Sequence, residues 1–373
     1  MQSSAAILWE LNSPWSVEET ELDSPHENEV RVRLASSGLC HTDDHAPKGD
    51  MPVALPIVGG HEGAGIVEEV GPGVRRIKPG DHVVLAFMPA CGHCRWCAEG
   101  YSQLCDNGAN ITDGMPITDG KPRIQARGVG VGQMALLGTF APLTVVHEDS
   151  CVKIDDDIPL EIASLVGCGV PTGFGAAVKL AKVEPGDVVV VVGTGGVGSS
   201  AVQGARIAGA EIIVAVDPFP FRREQAMLLG ATHSAASMEE AEPLVRELTR
   251  GVMADKTILT TSLMTGDLLM PLLLLTRKGG TACLTSNAHP NITNADVLLV
   301  DLIFSQKTII GNVYGGINPH SYIPRLLKLY RSGALKLDEI VTRRYPLEKI
   351  NEGYADLLNG EIMRGLVEFG EPR

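Results

Sequence analysis

Residues 187–198 read DVVVVVGTGGVG, and this stretch decides the fold of the second half of the chain. The run of β-branched residues is typical of a parallel strand that is buried on both faces. The turn that follows has the spacing of a dinucleotide-binding site and contains Gly193, Gly195, Gly196, Val197 and Gly198. Gly193 permits the tight turn, Gly195 lets the backbone approach a diphosphate, and Gly198 lets helix and strand pack closely. The stretch therefore predicts a strand and helix that bind a dinucleotide at the helix N-terminus.

Asp217 directly follows the next predicted strand, 211–216, and lies about 20 residues after the glycines. Dinucleotide-binding sites have an acidic residue at this position. A carboxylate there accepts hydrogen bonds from the ribose 2′-hydroxyl and repels a 2′-phosphate, which predicts NAD rather than NADP. Arg222 and Arg223 complicate this choice, because either could meet a phosphate. A solvated helix start is the simpler interpretation of these two arginines.

Alternating elements predict a doubly wound parallel sheet of the Rossmann type, assigned to 170–309. The predicted helices here are 197–208, 222–229 and 238–249, and a further strand is 257–261. A second domain is assigned to 1–169 together with 310–373. Its predicted strands are 29–34, 83–86 and 143–146, and its predicted helices are 323–332 and 350–358. The many turn residues of this part indicate a barrel-like β-rich fold, and the glycine-rich segment 107–138 is predicted to be a long surface excursion.

The composition excludes several classes of function. The 31 Lys and Arg against 45 Asp and Glu give a net charge of −14, which argues against a nucleic-acid or anionic-membrane partner. No run of 18 apolar residues is present, so no membrane span is expected, and the first residues lack the pattern of a secretory signal. We therefore expect a cytoplasmic protein whose eight cysteines are metal ligands or buried residues rather than disulfides.

Two sets of residues have the type and spacing of zinc ligands. Cys91, Cys94, Cys97 and Cys105 form the pattern C-x2-C-x2-C-x7-C. Four thiolates surround zinc with no vacant position, which predicts a structural zinc lobe over 91–105. The second set is Cys40, His61 and Cys168. Two thiolates and one imidazole would leave a fourth position for water or substrate, as in a catalytic zinc site. The sequence therefore predicts two zinc ions per subunit.

Three stretches around the second set carry a family resemblance. They are Gly38-Leu39-Cys40-His41-Thr42-Asp43, Gly60-His61-Glu62-Gly63-Ala64-Gly65 and Gly167-Cys168-Gly169-Val170. With the four-cysteine spacing, they resemble the zinc-dependent medium-chain alcohol dehydrogenases over essentially the whole chain. The resemblance implies an α/β protein with a GroES-like β-rich catalytic domain and a doubly wound Rossmann coenzyme domain. It implies reversible oxidation of an alcohol to an aldehyde or ketone, with hydride transfer to NAD in the cleft between the domains.

The resemblance also implies roles for single residues. Thr42 would take the proton of the alcohol through its hydroxyl, and His45 would pass that proton to solvent by way of the ribose hydroxyls. Asp43 would accept a hydrogen bond from His61, and Glu62 would lie behind the zinc and ligate it transiently. The remaining implied contacts are Phe87 in the substrate pocket, His41 and Arg364 at the pyrophosphate, and Thr172, Val197 and Arg222 at the nicotinamide or adenosine portions.

Two further stretches, 248–256 and 337–345, resemble the nicotinoprotein branch of this family. Its members keep NAD bound and pass electrons to an external acceptor such as a nitrosoaniline dye. The implied partners are a small alcohol or aldehyde, that acceptor, and further copies of the chain in a homodimer or homotetramer. One alternative is a glutathione-dependent formaldehyde dehydrogenase, although 107–138 offers no convincing basic anchor for a glutathione adduct. Another is a non-catalytic zinc- and nucleotide-binding protein, which the intact ligand set and Thr42 disfavour.

Overall fold

The computed structural model describes residues 1–370, which form two compact units. One unit contains Met1–Cys168 and the chain from Asn318 onward, and the other contains Gly169–Ile317. The boundary predicted after residue 169 lies one residue away, whereas the boundary predicted after residue 309 cuts through a strand. Among the described residues no single helix is long and apolar enough to cross a membrane. One bent pair, Leu160–Gly167 with Gly169–Leu180, passes by length and composition only.

The strands are β1 (Gln2–Leu8), β2 (Ser16–Leu22), β3 (Glu29–Gly38), β4 (Ile57–Val58), β5 (Gly63–Val70), β6 (His82–Leu85), β7 (Ile124–Ala126), β8 (Val129–Gln133), β9 (Leu143–His147), β10 (Cys151–Lys153), β11 (Val188–Val192), β12 (Ile212–Val216), β13 (His233–Ala235), β14 (Ala254–Leu259), β15 (Thr276–Leu284), β16 (Thr308–Gly311), β17 (Val341–Pro346) and β18 (Arg364–Glu368). The helices are α1 (His41–Lys48), α2 (Arg95–Ala98), α3 (Leu160–Ala163), α4 (Gly169–Gly175), α5 (Gly196–Ala208), α6 (Pro220–Leu229), α7 (Met238–Leu248), α8 (Leu269–Leu275), α9 (Leu299–Phe304), α10 (Pro319–Arg331) and α11 (Ile350–Leu358). Short 3₁₀ turns join several of them, and a π-helical turn, Ala176–Leu180, continues α4.

Residues 169–317, all of which the structure describes, contain a six-stranded parallel sheet in the order β13-β12-β11-β14-β15-β16. The order reverses around β11, as a doubly wound sheet requires. Val190 and Val192 of β11 are buried, and Ala241 of α7 and Leu272 of α8 belong to the same apolar core. The carboxyl ends of β11 and β12 lie side by side, because Val192 is paired with Val216. This places the glycine turn beside the residue that follows β12.

In residues 1–168 and 318–370 the strands form a closed barrel, β1-β2-β7-β8-β4, and a seven-stranded sheet, β10-β6-β5-β3-β18-β17, with β9 also paired to β3. The long strand β3 serves two partners on one edge, β9 along Glu29–Arg33 and β18 along Ser36–Gly38. Its other edge pairs with β5. Since β3 ends at Gly38, this sheet sets the position of Cys40 and of α1.

The prediction of a surface excursion over 107–138 is wrong for its second half. β7 and β8 are strands of the barrel, and Ile124 and Val131 are buried in its core. Leu137 is buried in the neighbouring core cluster that contains Val32 and Leu85. The side-chain amide of Gln133, also buried, donates to the carbonyl oxygens of Leu137 and Val145. Strands are recognised from alternating polar and apolar residues, and glycines within a strand weaken this pattern. The glycines of this segment therefore hid β7 and β8 from the sequence prediction.

Arg123 holds this segment to β3 through a buried ion pair. Its guanidinium donates from Nε and Nη2 to the two carboxylate oxygens of Glu29, each at 2.8 Å, and the two side chains are 1% and 2% exposed. Thr118 and Asp119 also bond to this pair. Fully paired buried charges stabilise little against an apolar core, but loss of one partner leaves a charge without compensation.

Glu29→Gln should therefore lower the free energy of unfolding by about 3 kcal/mol, the low end for a broken buried pair, because Asp119 remains as a partner of Arg123. Glu352→Gln is the matched control, since Glu352 and Lys349 are 3.1 Å apart with both side chains more than half exposed, and it should change stability by less than about 1 kcal/mol. Denaturant unfolding of both variants measures the difference. Equal effects would contradict a special role for the buried pair.

Candidate metal centres and nucleotide site

Helix α1 contains several buried polar side chains of the β-rich unit. Cys40 is its N-cap in extended conformation, and Asp43 and Asp44 occupy its first turn, where carboxylates favour the helix dipole. Gly49, at φ +74°, ends it in the left-handed conformation that glycine tolerates. Residues three and four apart share a helix face, so a few residues after β3 can supply several groups to one site.

Asp43 and His61 form a buried pair. Oδ1 of Asp43 accepts from Nδ1 of His61 at 2.8 Å and from the backbone N–H of Gly60 at 3.1 Å. The opposite ring nitrogen, Nε2, is buried and has no hydrogen-bond partner in residues 1–370. Burial by itself would lower the pKa of His61, but the charges of Asp43 and Cys40 raise it well above its ordinary value. A carboxylate that holds one nitrogen leaves the other to ligate a metal.

Three ligand atoms, from Cys40, His61 and Glu62, lie within 4.8 Å of one another. Cys168 lies outside that group but bonds to Cys40. This bond holds the pKa of the Cys40 thiol well below its ordinary value, and the same bond together with burial raises the pKa of Cys168. Two neighbouring sulfurs cannot both be charged in a buried site without a cation, whereas a divalent cation allows two thiolates. The donor set, two sulfurs and one orphaned imidazole nitrogen, therefore fits zinc.

Glu62 is buried and bonded to another residue of this centre. Its Oε2 accepts from Nη2 of Arg364, which is 4% exposed. Burial by itself would lower the pKa of Arg364, but Glu62 raises it. A Cβ on Gly38 would lie 2.1 Å from Oε2 of Glu62, so only glycine leaves room for the carboxylate. Arg364, for which the sequence predicted a pyrophosphate contact, is thus a partner of Glu62 in this structure.

The other predicted residues of this unit lie around the same centre. The Thr42 hydroxyl is 3.6 Å from Sγ of Cys40, and the Phe87 ring meets the His61 ring edge to face at 6.0 Å between centroids. His45 is buried rather than on the surface, and its Nδ1 is 3.0 Å from Asp50. His41, the first residue of α1, is half-buried.

Sequence reasoning missed one residue of the centre. The hydroxyl of Tyr354, in α11, donates to the carbonyl oxygen of Cys40 at 3.4 Å, and burial raises the pKa of this phenol well above its ordinary value. Tyr354 lies in the predicted helix 350–358, but the helix pattern does not distinguish an aromatic residue at a functional site from one in the core.

The four remaining candidate ligands form a separate cluster at 91–105. Sγ of Cys91 and Cys97 are 4.0 Å apart, and those of Cys94 and Cys105 are 3.9 Å apart. A tetrahedral zinc–sulfur site has sulfurs about 3.8 Å apart, given Zn–S bonds of about 2.3 Å. Backbone N–H groups of residues 91, 94 and 97 also donate to these sulfurs. The cluster therefore fits a closed structural zinc.

The glycine turn after β11 matches the role predicted for each glycine. Gly193 has φ +86°, and a Cβ there would lie 2.9 Å from the backbone of Thr260. A Cβ on Gly198 would lie 1.8 Å from the carbonyl oxygen of Gly193, whereas nothing lies within 4 Å of one on Gly195. Gly195 caps α5 without a side chain, and Gly196 and Val197 begin the helix half-buried. The first N–H groups of α5 therefore have no side-chain cap, which suits a diphosphate.

Asp217 lies beside this turn, as predicted, but its carboxylate also bonds to the protein backbone. Oδ2 accepts from the N–H of Thr194 at 2.8 Å, and Oδ1 accepts from the N–H of Phe219 at 3.0 Å. Arg222 is 9% exposed and lies over the Phe219 ring at 4.8 Å, so the interpretation of a solvated helix start is wrong for this arginine. Burial lowers the pKa of Arg222, and Asp217 opposes that shift.

Thr172, expected near the nicotinamide, lies in α4 of the same unit. Its Oγ1 is buried and has no hydrogen-bond partner among the residues that the structure describes. Its carbonyl oxygen accepts from the Asn312 side chain at 3.2 Å. An orphaned hydroxyl of this kind is satisfied when a polar ligand group reaches it.

Comparison with known proteins identifies the family of this chain. Residues 26–156 match the family described as alcohol dehydrogenase GroES-like domain, and residues 196–332 match zinc-binding dehydrogenase. Alcohol dehydrogenase B of Mycobacterium tuberculosis is 49% identical over 370 residues, with 99% of each chain covered. The chain belongs to the zinc-dependent alcohol dehydrogenase family. It is an oxidoreductase, and two cysteines with one histidine also hold the catalytic zinc of alcohol dehydrogenases.

Two further relatives extend the comparison. The NDMA-dependent alcohol dehydrogenase of Amycolatopsis methanolica is 48% identical over 368 residues, covering 98% of this alcohol dehydrogenase and 99% of that one. The crystal structure of benzyl alcohol dehydrogenase from Acinetobacter calcoaceticus is 30% identical with a TM-score of 0.91, and 99% of each chain is covered. The likeness to these relatives therefore extends over both units of the chain.

Cys97→Ser should lower the zinc content of this alcohol dehydrogenase by one ion per chain and lower the Tm by roughly 5–10 °C, because the cluster at 91–105 would lose a ligand. Metal analysis and thermal unfolding measure the two effects. Cys283→Ala is the control, since Cys283 is buried in the other unit, outside both clusters, and should leave the zinc content unchanged. Unchanged metal content and Tm in Cys97→Ser would rule out the structural zinc.

Proposed function

We propose that this alcohol dehydrogenase oxidises a small alcohol to an aldehyde or ketone at a zinc ion held by Cys40, His61 and Cys168, with NAD as hydride acceptor. The observation that carries this is the buried Nε2 of His61, which has no hydrogen-bond partner among the described residues while Asp43 holds Nδ1, in a group where the ligand atoms of His61 and Cys40 lie within 4.8 Å of each other. Bound zinc would act as a Lewis acid that lowers the pKa of the alcohol. We prefer Cys168 to Glu62 as the third ligand, because Arg364 already holds the Glu62 carboxylate.

The chain's own residues would handle the proton. Thr42, whose hydroxyl lies beside the Cys40 sulfur, is placed to accept a hydrogen bond from the hydroxyl of the substrate and to pass its own proton on. His45 would then hold that proton before it reaches solvent. Asp43 would keep His61 in one tautomer and orientation throughout. Phe87, beside the His61 ring, would provide an apolar wall for the substrate.

Cys40→Ser and His61→Ala should each lower kcat by at least about 10³-fold, because either change removes a ligand of the group that polarises the substrate. Each variant should keep one zinc, the structural one. Cys40→Ser should keep a Tm near that of the wild type, whereas His61→Ala should lower the Tm, because it leaves the buried carboxylate of Asp43 without its partner. The measurements are alcohol oxidation, metal content and thermal unfolding. Near-normal turnover in both variants would eliminate the catalytic-zinc assignment.

We also propose that NAD stays bound through catalysis. Asp217 beside the glycine turn supports NAD over NADP. The 48%-identical relative from Amycolatopsis methanolica is an NDMA-dependent alcohol dehydrogenase, which supports an electron acceptor other than free NAD. In that case the substrate alcohol and an external acceptor would be the exchanging partners, and the nucleotide would alternate between its two redox forms in place.

Native mass spectrometry of protein purified without added nucleotide should find one NAD or NADH and two zinc ions on each subunit, and turnover with alcohol should require the nitrosoaniline acceptor. Asp217→Asn, which removes the charge but keeps the side-chain shape, should weaken retention by at least roughly 10-fold, given about 1.5–3 kcal/mol for a hydrogen bond to a charged group. Protein that carries no nucleotide and turns over freely with added NAD would disprove permanent binding.

Two alternatives make different predictions. A glutathione-dependent formaldehyde dehydrogenase would require glutathione for activity, so activity on simple alcohols without it decides against that alternative. A non-catalytic zinc- and nucleotide-binding protein would give no turnover with any alcohol while binding both ligands. The hydroxyl of Thr42 beside Cys40 favours a catalyst, because a purely structural zinc has no need of it.

We further propose a homodimer or homotetramer in the cytoplasm. The edge strand β16 pairs only with β15 within the described chain, so one row of its backbone groups is open to another copy. Near it in sequence, α9 exposes Leu299, Ile303 and Phe304 by 63–83%. Patches of this kind mark association sites, and the same native mass spectrum counts the subunits.

A further inference from the structure

A histidine and a carboxylate are paired at the C-terminal end of α1. Nδ1 of His45 lies 3.0 Å from Oδ2 of Asp50, and the two side chains are 4% and 26% exposed. The pair thus connects a buried imidazole to a carboxylate that water reaches. Neither the zinc ligands nor the glycine turn makes use of Asp50.

The backbone holds Asp50 in this position. Gly49 ends the helix at φ +74°, and the next N–H, that of Asp50, donates to the carbonyl oxygen of His45 at 3.0 Å. The two residues are therefore joined both through the main chain and through their side chains. The main-chain bond keeps the Asp50 backbone next to His45, so the carboxylate stays within reach of the imidazole.

This contact determines which ring nitrogen can exchange a proton with the reacting groups. An ionised carboxylate only accepts hydrogen bonds, so neutral His45 carries its proton on Nδ1. Proton exchange must then use the other nitrogen, Nε2. When Nε2 gains a proton, the positive charge forms beside the negative charge of Asp50, which stabilises it.

We propose that Asp50 is a positioning residue for proton release from the substrate, acting through His45; this rests on the proposed function, in which His45 holds the proton. Nε2 gains the proton that the alcohol loses, and the imidazolium then carries both N–H groups. The proton leaves the ring for bulk water, and the ring returns to the Nδ1–H tautomer. Asp50 stays ionised throughout, as an orienting carboxylate does in other acid–base pairs.

A neighbouring carboxylate on α1 provides an internal comparison. Asp44 lies one residue before His45, but its Oδ2 is 2.5 Å from Nζ of Lys48, so a lysine neutralises it. Asp50 is instead bonded to the histidine. A purely structural alternative exists, because a protonated histidine near a helix C-terminus stabilises the helix by about 0.3–1 kcal/mol. The experiment therefore has to separate stability from proton transfer.

The experiment measures reduction of the bound nucleotide in a single turnover with an alcohol, for the complete enzyme and for variants with Asp50→Asn, Asp50→Glu and His45→Gln. Asp50→Asn should slow the step roughly 10-fold, a fraction of the 10²–10⁴-fold typical of acid–base catalysis, with little change in alcohol affinity. Asp50→Glu should recover most of the rate. In the His45→Gln background, Asp50→Asn should add less than about twofold, because residues that act as a unit are not additive.

A second readout follows the histidine itself. ¹⁵N NMR of the ring nitrogens, assigned by the signals lost in His45→Gln, should show the Nδ1–H tautomer in the wild type and a changed tautomer population in Asp50→Asn. Asp44→Asn is the control and should alter neither the rate nor the ring signals.

The outcomes separate this inference from the proposed function. If nucleotide reduction is slow in His45→Gln but has the wild-type rate in Asp50→Asn, Asp50 has no role in proton release and the role of His45 stands. Wild-type rates in both variants would remove both roles, while the Cys40 and His61 variants still test the zinc site. An equal loss from Asp50→Asn with and without His45, accompanied by a lower Tm, would assign Asp50 a structural role only.

Discussion

The hydrogen bond between Asp43 and His61 is the interaction on which the catalytic centre depends. It joins α1 to the turn before β5, and the same carboxylate oxygen also accepts from the backbone of Gly60. Because Asp43 occupies Nδ1, Nε2 is the nitrogen that would bind the proposed zinc, and the same hydrogen bond fixes the position of the imidazole. Burial raises the pKa of Asp43 and His61 opposes that shift, so each residue of the pair stabilises the charged form of the other.

The fold brings together ligands that are far apart in the chain. Cys40 follows the end of β3, His61 precedes β5, and the two strands are antiparallel neighbours, with Ser37 paired to Gly63. This single register places the first two ligands side by side. Gly167 packs against the same region, since a Cβ there would lie 2.7 Å from the carbonyl oxygen of Leu85, and Cys168 follows directly. The centre is therefore a consequence of strand pairing and not of one local motif.

Features with a local sequence pattern could be predicted, and features made by distant partners could not. The glycine turn, the four clustered cysteines and the helix at 350–358 depend on near neighbours, and each has the geometry that its spacing indicates. The partner of Arg364 is 302 positions away, and no periodicity reveals it. Asp50 likewise follows a helix-ending glycine, and no sequence pattern reveals its contact with His45. The burial of Arg222 depends on Phe219 and the strand before it, which an amphipathic pattern cannot resolve.

The buried ion pair between Glu62 and Arg364 requires a glycine at position 38. A fully buried carboxylate costs several kcal/mol unless a cation compensates it, and the Arg364 guanidinium does so. The pair fits only because residue 38 has no Cβ, since one would overlap Oε2 of Glu62. Gly38 also belongs to β3, and its N–H donates to the carbonyl oxygen of Glu62 at 3.0 Å. The end of β3 therefore both positions Cys40 and leaves space for the carboxylate of Glu62. Because Gly38 serves both purposes, a larger residue at this position would displace Cys40 and the Glu62–Arg364 pair together.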